Sequence, residues 1–70
     1  MIDKDMLKCV LSDHGWEMSE RQPDRYYWRY ERNGDLFDFW FTTGTCRLIV
    51  DNIARHYRGK NIEEITEIIK

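Results

Sequence analysis

The chain has 70 residues, with 11 lysines and arginines against 13 aspartates and glutamates and a formal net charge of −2. That length makes one domain, residues 1–70, with a modest core. The charge balance excludes both the basic signature of a phosphate-backbone binder and the strong acidity of a nucleic-acid mimic.

Residues 3–14 read as an amphipathic helix. Asp3 is the N-cap, Met6, Leu7, Cys9, Val10 and Leu11 crowd one side, and Lys4, Asp5, Lys8 and Ser12 occupy the other. Met1 to Met6 lacks the apolar run of a signal peptide and no stretch is long enough to span a bilayer, so the expected setting is cytoplasmic. Gly15 stands where a glycine closes a helix, and Trp16 supplies the apolar contact that accompanies such an ending. Trp16 to Ser19 then alternates as a short strand with Trp16 and Met18 inward. Glu20 to Asp24 is a polar connection, from which Pro23 excludes a central strand.

Arg25 to Val50 is the densest β signal. Asn33-Gly34 between two aromatic runs predicts a two-residue type I′ turn. Counting outward from it pairs Tyr30 with Phe37, Trp28 with Phe39 and Tyr26 with Phe41 on one side of the sheet. Arg29 with Asp38 and Tyr27 with Trp40 fall on the other. If Thr43-Gly44 is likewise a two-residue loop, Cys46 meets Phe41, Leu48 meets Phe39 and Val50 meets Phe37. Arg47 then lies beside Trp40, and Ile49 beside Asp38. Both turns assign the same side as core, where a one-residue slip would invert a strand. Cys9 and Cys46 both fall on expected core faces and read as buried, reduced thiols.

Residues 51–61 allow two readings. Asp51 could cap a short helix from Asn52 to Arg58 closed by Gly59, or Ile53 to Tyr57 could return along the sheet edge. The lack of a 3.6-residue apolar period favours the loop or short-strand reading. In the last segment Asn61 caps, Glu64 completes a capping box, and Ile62, Ile65, Ile68 and Ile69 form an apolar stripe. The expected fold is therefore α+β, a two-layer sandwich in α-β-β-β-β-α order. An antiparallel meander sheet carries both helices on one face.

The patterns that carry chemistry are few. Cys9, His14, Cys46 and His56 lack the close spacing of zinc ligands, so no metal or cofactor is expected. His56, flanked by Arg55, Tyr57 and Arg58, is the one candidate general base. No acid or cleft accompanies it, so no catalytic residue is assigned. Arg55, His56, Arg58 and Lys60 precede the last helix as a candidate anion or phosphate site; equally, they could balance the glutamates that follow. The sharpest feature is the sheet side opposite the core, carrying Arg25, Tyr27, Arg29, Asp38, Trp40 and Arg47. Tyrosine, tryptophan and arginine dominate protein–protein hot spots. Aromatics among arginines also stack single-stranded nucleic acid, but Asp38 at the centre opposes that.

Two resemblances follow from these residues. The step His14-Gly15-Trp16-Glu17 after a first helix, followed by a meander and a last helix, resembles the HicA-type mRNA interferases of double-stranded-RNA-binding-like fold. That family carries Gly-Ser-His where this chain reads Pro23-Asp24-Arg25-Tyr26, so no catalytic role transfers. The run Thr42-Thr43-Gly44-Thr45, then Tyr57-Arg58-Gly59-Lys60-Asn61 and an isoleucine-rich helix, is similar to small phage and mobile-element proteins. That similarity implies a non-enzymatic inhibitor of the anti-CRISPR kind, which blocks a host macromolecule. The expected partner is a protein. Nucleic acid bound by an RNA- or DNA-binding domain, a degenerate HicA-like toxin, a small ribonuclease and a homodimer are the competing expectations.

Overall fold

The computed structural model describes residues 2–21 and 26–70. Helix α1, Lys4–Asp13, begins at Asp3, whose carboxylate accepts the Asp5 and Met6 amides at 2.9 and 3.1 Å. It ends in a Schellman closure, in which Trp16 N donates to Leu11 O at 2.9 Å and Gly15 N to Ser12 O at 3.0 Å. Gly15 takes the φ of +82° that this ending demands. The turn delivers Trp16, 2 % exposed, straight into the core.

Five strands follow: β1 Glu17–Arg21, β2 Tyr27–Arg32, β3 Asp35–Trp40, β4 Thr45–Val50 and β5 Ile53–Arg58. They form one antiparallel meander in the order β1-β2-β3-β4-β5. Helix α2, Ile62–Ile69, closes the chain behind a complete capping box between Asn61 and Glu64. This is the α+β class with the meander sheet read from the sequence. The fifth strand comes from the segment that the sequence left between two readings.

The Asn33-Gly34 hairpin has the expected register: Tyr30 opposite Phe37, Trp28 opposite Phe39, Arg29 opposite Asp38 and Tyr27 opposite Trp40. The next hairpin differs. Its loop is Phe41 to Gly44, closed by Gly44 N donating to Trp40 O at 3.0 Å. Cys46 therefore faces Phe39 and Leu48 faces Phe37, while Arg47 faces Asp38 and Ile49 faces Leu36. The expected pairs of Cys46 with Phe41, Leu48 with Phe39 and Val50 with Phe37 are each displaced by two residues. A slip of two keeps every side chain on its own face, so the core assignment survives the error in register. The third hairpin turns on Asp51 and Asn52, both at positive φ, +53° and +65°. That is the type I′ geometry, and it decides the segment for the favoured strand return over the capped helix.

Leu7 and Leu11 of α1, Ile65 and Ile69 of α2, and Trp16, Trp28, Tyr30, Phe37, Phe39 and Cys46 form one buried cluster. α1 is less amphipathic than its sequence suggests. Met6 is 52 % exposed and Cys9 is also exposed, against expectation. Cys9 sits about 200° around the helix from Leu7, so a face centred on Leu7 and Leu11 turns it outward. Cys46 is buried as expected, and burial pushes its thiol up to about 11.

Candidate functional site

On the sheet side opposite Trp28, Phe37 and Phe39, three strands converge on one carboxylate. Asp38 in the middle of β3 is fully buried, although it belongs to the side away from the apolar cluster. Its cover consists of its own cross-strand neighbours. Tyr27 Oη donates to Oδ1 at 2.6 Å. Arg29 donates through Nε to Oδ1 at 2.7 Å and through Nη2 to Oδ2 at 3.1 Å. Arg47 donates to Oδ2 through Nε at 3.0 Å and through Nη2 at 2.7 Å. Two guanidinium groups and a phenol therefore share one anion across β2, β3 and β4.

The electrostatics follow from that geometry. Burial alone would raise the Asp38 pKa, but the hydrogen bonds from Arg29, Tyr27 and Arg47 outweigh it and hold the carboxyl below its usual range. The same contacts raise the Arg29 pKa. The aromatic pair completes the layer: Tyr27 and Trp40 pack with centroids 5.0 Å apart and planes tilted by 34°, and Arg47 lies over Trp40 at 5.2 Å. The arginine side chains remain about a quarter exposed, 27 % and 28 %. Among the described residues each thus keeps N–H donors without a partner while its plane is fixed by Asp38.

The structure brings together Tyr27, Arg29, Asp38, Trp40 and Arg47 of the residues singled out in the sequence; Arg25 lies outside the described residues. Arg47 was expected beside Trp40, and the two-residue shift instead sets it opposite Asp38 while keeping its cation–π contact. The other candidate group is divided. Alternation along β5 puts His56 and Arg58 on the same side as Arg47, with His56 directly opposite Arg47. Arg55 points to the other side, and Lys60 pairs with Glu64 at 3.8 Å. The amide of Glu64 donates to the Asn61 side chain, and the Glu64 carboxylate accepts the Asn61 amide. These four residues therefore do not converge on one anion-binding point. The sequence missed that His56 and Arg58 extend the face of Arg47. Asp51-Asn52, taken as a type I′ turn, carries the signal that sets their parity.

A cleft of about 860 Å³ opens at one end of the sheet, between the start of α1, the Phe41–Gly44 loop and the start of α2. Its walls include Met6, Phe39, Phe41 and Ile62, with Lys4 placed 4.7 Å over the Phe41 ring. Among the described residues, no three of histidine, cysteine, aspartate and glutamate lie close enough to hold a metal ion. No helix there is long and apolar enough to cross a membrane. Comparison with protein-family models, with curated proteins and with solved structures finds no match.

Proposed function

We propose that this protein is a non-enzymatic binding module whose Asp38-centred sheet face seats on a protein partner, as a phage-type inhibitor that blocks a host defence or regulatory macromolecule. One observation carries the reading: a fully buried carboxylate stands on the side of the sheet away from the core and locks two arginines and a Tyr–Trp pair in place. For stability alone, a buried ionic cluster is a poor substitute for apolar packing of the same size. For binding, it removes much of the ordering cost of arginine and aromatic side chains, the residue types that anchor interfaces. The nucleic-acid alternative is weaker, because Trp40 already carries Arg47 over its ring and packs against Tyr27, which leaves less ring surface for a base.

The test uses the full chain as bait in a bacterial lysate, beside a Trp40→Ala bait whose far-UV circular dichroism matches the parent. A protein retained by the parent and lost by Trp40→Ala is the expected result. The same proteins on both baits would sink the reading. Titrations against short single- and double-stranded RNA and DNA at low and moderate salt accompany it. Salt-sensitive binding that disappears in Trp40→Ala would transfer the face to nucleic acid.

A further inference from the structure

We propose that the free edge of β5 is a second docking site, which takes an extended acidic segment of a partner protein as a sixth strand of the sheet. β5 ends the strand order. Its pairing with β4 runs unbroken from Ile53 to Arg58, whereas the opposite edge strand, β1, has a register shift between Met18 and Glu20. Bulges blunt an edge against further pairing; β5 has no such protection. The direction of its free groups follows from the ladder. Gly59 N donates to Gly44 O at 3.2 Å, and antiparallel pairs alternate between bonded and unbonded. Counting back, Tyr57, Arg55 and Ile53 direct their backbone groups to β4. Ala54, His56 and Arg58 direct theirs outward.

Charge decides the occupant. The strand carries Arg55, His56 and Arg58 and no acid. Among the described residues the side chains of these three make no hydrogen bond or ion pair, while those of Arg29 and Arg47 are both engaged with Asp38. A second copy paired through β5 would set like charges across the new ladder, which is destabilising. An acidic strand reverses the sign.

The two sides of β5 also differ. His56 and Arg58 lie on the side of Arg47. Ile53, Arg55 and Tyr57 border a groove of about 460 Å³ shared with Leu48, Val50 and Ile68. Asp51 and Glu67 also line that groove, so acids of the incoming strand belong on the other side and apolar side chains on this one. The fitting segment therefore alternates acidic and apolar residues. Strand addition of this kind draws affinity from main-chain hydrogen bonds and specificity from alternate side chains.

The probe is the peptide Ac-Gly-Glu-Val-Glu-Val-Glu-Gly-NH2, with a counterpart carrying lysine for each glutamate, titrated into the 15N-labelled chain. The glutamate peptide is expected to slow exchange of the Ala54, His56 and Arg58 amides and to bind at least about tenfold tighter than the lysine peptide. Ala54→Pro removes an outward N–H without touching the β4 ladder and should weaken binding about tenfold or more. Arg58→Glu, at an exposed position, should do the same and guards against misfolding of the proline variant. Lys8→Glu, at an exposed position on α1, should leave peptide binding unchanged, which separates docking on this edge from general charge attraction. Absence of binding, equal binding of both peptides, an unimpaired Arg58→Glu, or a parent chain that already dimerises through β5 would each overturn the proposal.

Discussion

At the scale of the residue, Asp38 has the largest predicted effects. Its folded-state pKa is lowered, so it contributes stability above the ordinary aspartate pKa of about 3.9 and loses it as pH falls through the lower folded value. The stability of the parent should therefore fall through this acid range. Asp38→Asn should lack that component and be less stable near neutrality by about 3 kcal/mol. This is the lower end of the cost of breaking a buried pair, because both arginines can turn partly to water. Urea denaturation from pH 2 to 7 measures both effects, and parallel pH profiles for the two proteins would refute the assignment. Tyr30 makes the opposite case. Its hydroxyl is buried without a hydrogen-bond partner among the described residues, as is Trp28 Nε1. Tyr30→Phe removes a desolvated polar group and should leave stability unchanged or raise it by about 1 kcal/mol; a clear loss in thermal denaturation would show that the hydroxyl is satisfied in solution. The cysteines separate by exposure: a thiol reagent should label Cys9 quickly and Cys46 only on unfolding, since the buried thiol is pushed up to about 11.

At the scale of the element, the turns explain which parts of the fold could be read from sequence. Asn33-Gly34 was legible because both residues favour positive φ, and the pairs counted from it that fall within β2 and β3 are all present. Thr43-Gly44 was only half legible. Alternation detects a slip of one residue but not of two, and the hydroxyl of Thr43 bonded to that of Thr45 at 2.8 Å belongs to a four-residue loop. The site was legible to the same extent. Its membership follows from side-chain parity, while the role of Asp38 as shared acceptor for Arg29 and Arg47 depends on the register that the second turn concealed. Asp51-Asn52 left two readings open because aspartate caps helices as readily as it enters turns, and the favoured return along the sheet edge is the one present. The turn reading has a direct consequence. Asn52 holds φ +65°, a conformation that glycine adopts without the strain of a Cβ. Asn52→Gly should raise stability by about 0.5 kcal/mol, whereas in a capped helix the same change would lower it. The sign of the Tm shift distinguishes the two.

At the scale of the whole molecule, the question is what holds two short helices to a sheet in so small a domain. Neither helix has a basic residue in its last turn, although helix C-termini favour cations. Arg32, at the end of β2, supplies one to both. It donates to the carbonyl of His14 at the end of α1 at 2.8 Å, and to that of Lys70 after α2 at 3.3 Å. Its guanidinium lies 4.4 Å from the centre of the Trp16 ring, and Trp16 Nε1 in turn donates to Ile69 O at 3.0 Å. One side chain thus links the ends of both helices to the sheet through a buried indole. Nothing in the periodicity of β2 marks it, because its partners are backbone carbonyls far away in sequence. Hydrogen bonds from a charged donor contribute roughly 1.5–3 kcal/mol each, discounted here because the Lys70 bond is exposed. Arg32→Ala should therefore cost about 2 kcal/mol in urea denaturation. Arg32→Lys should recover less than half of that, since an ammonium cannot form both bonds and cover the indole with one plane. A loss below about 0.5 kcal/mol for Arg32→Ala would mean that apolar packing of Leu7, Leu11, Ile65 and Ile69 suffices to seat the helices. Full rescue by lysine would reduce the role of Arg32 to its charge.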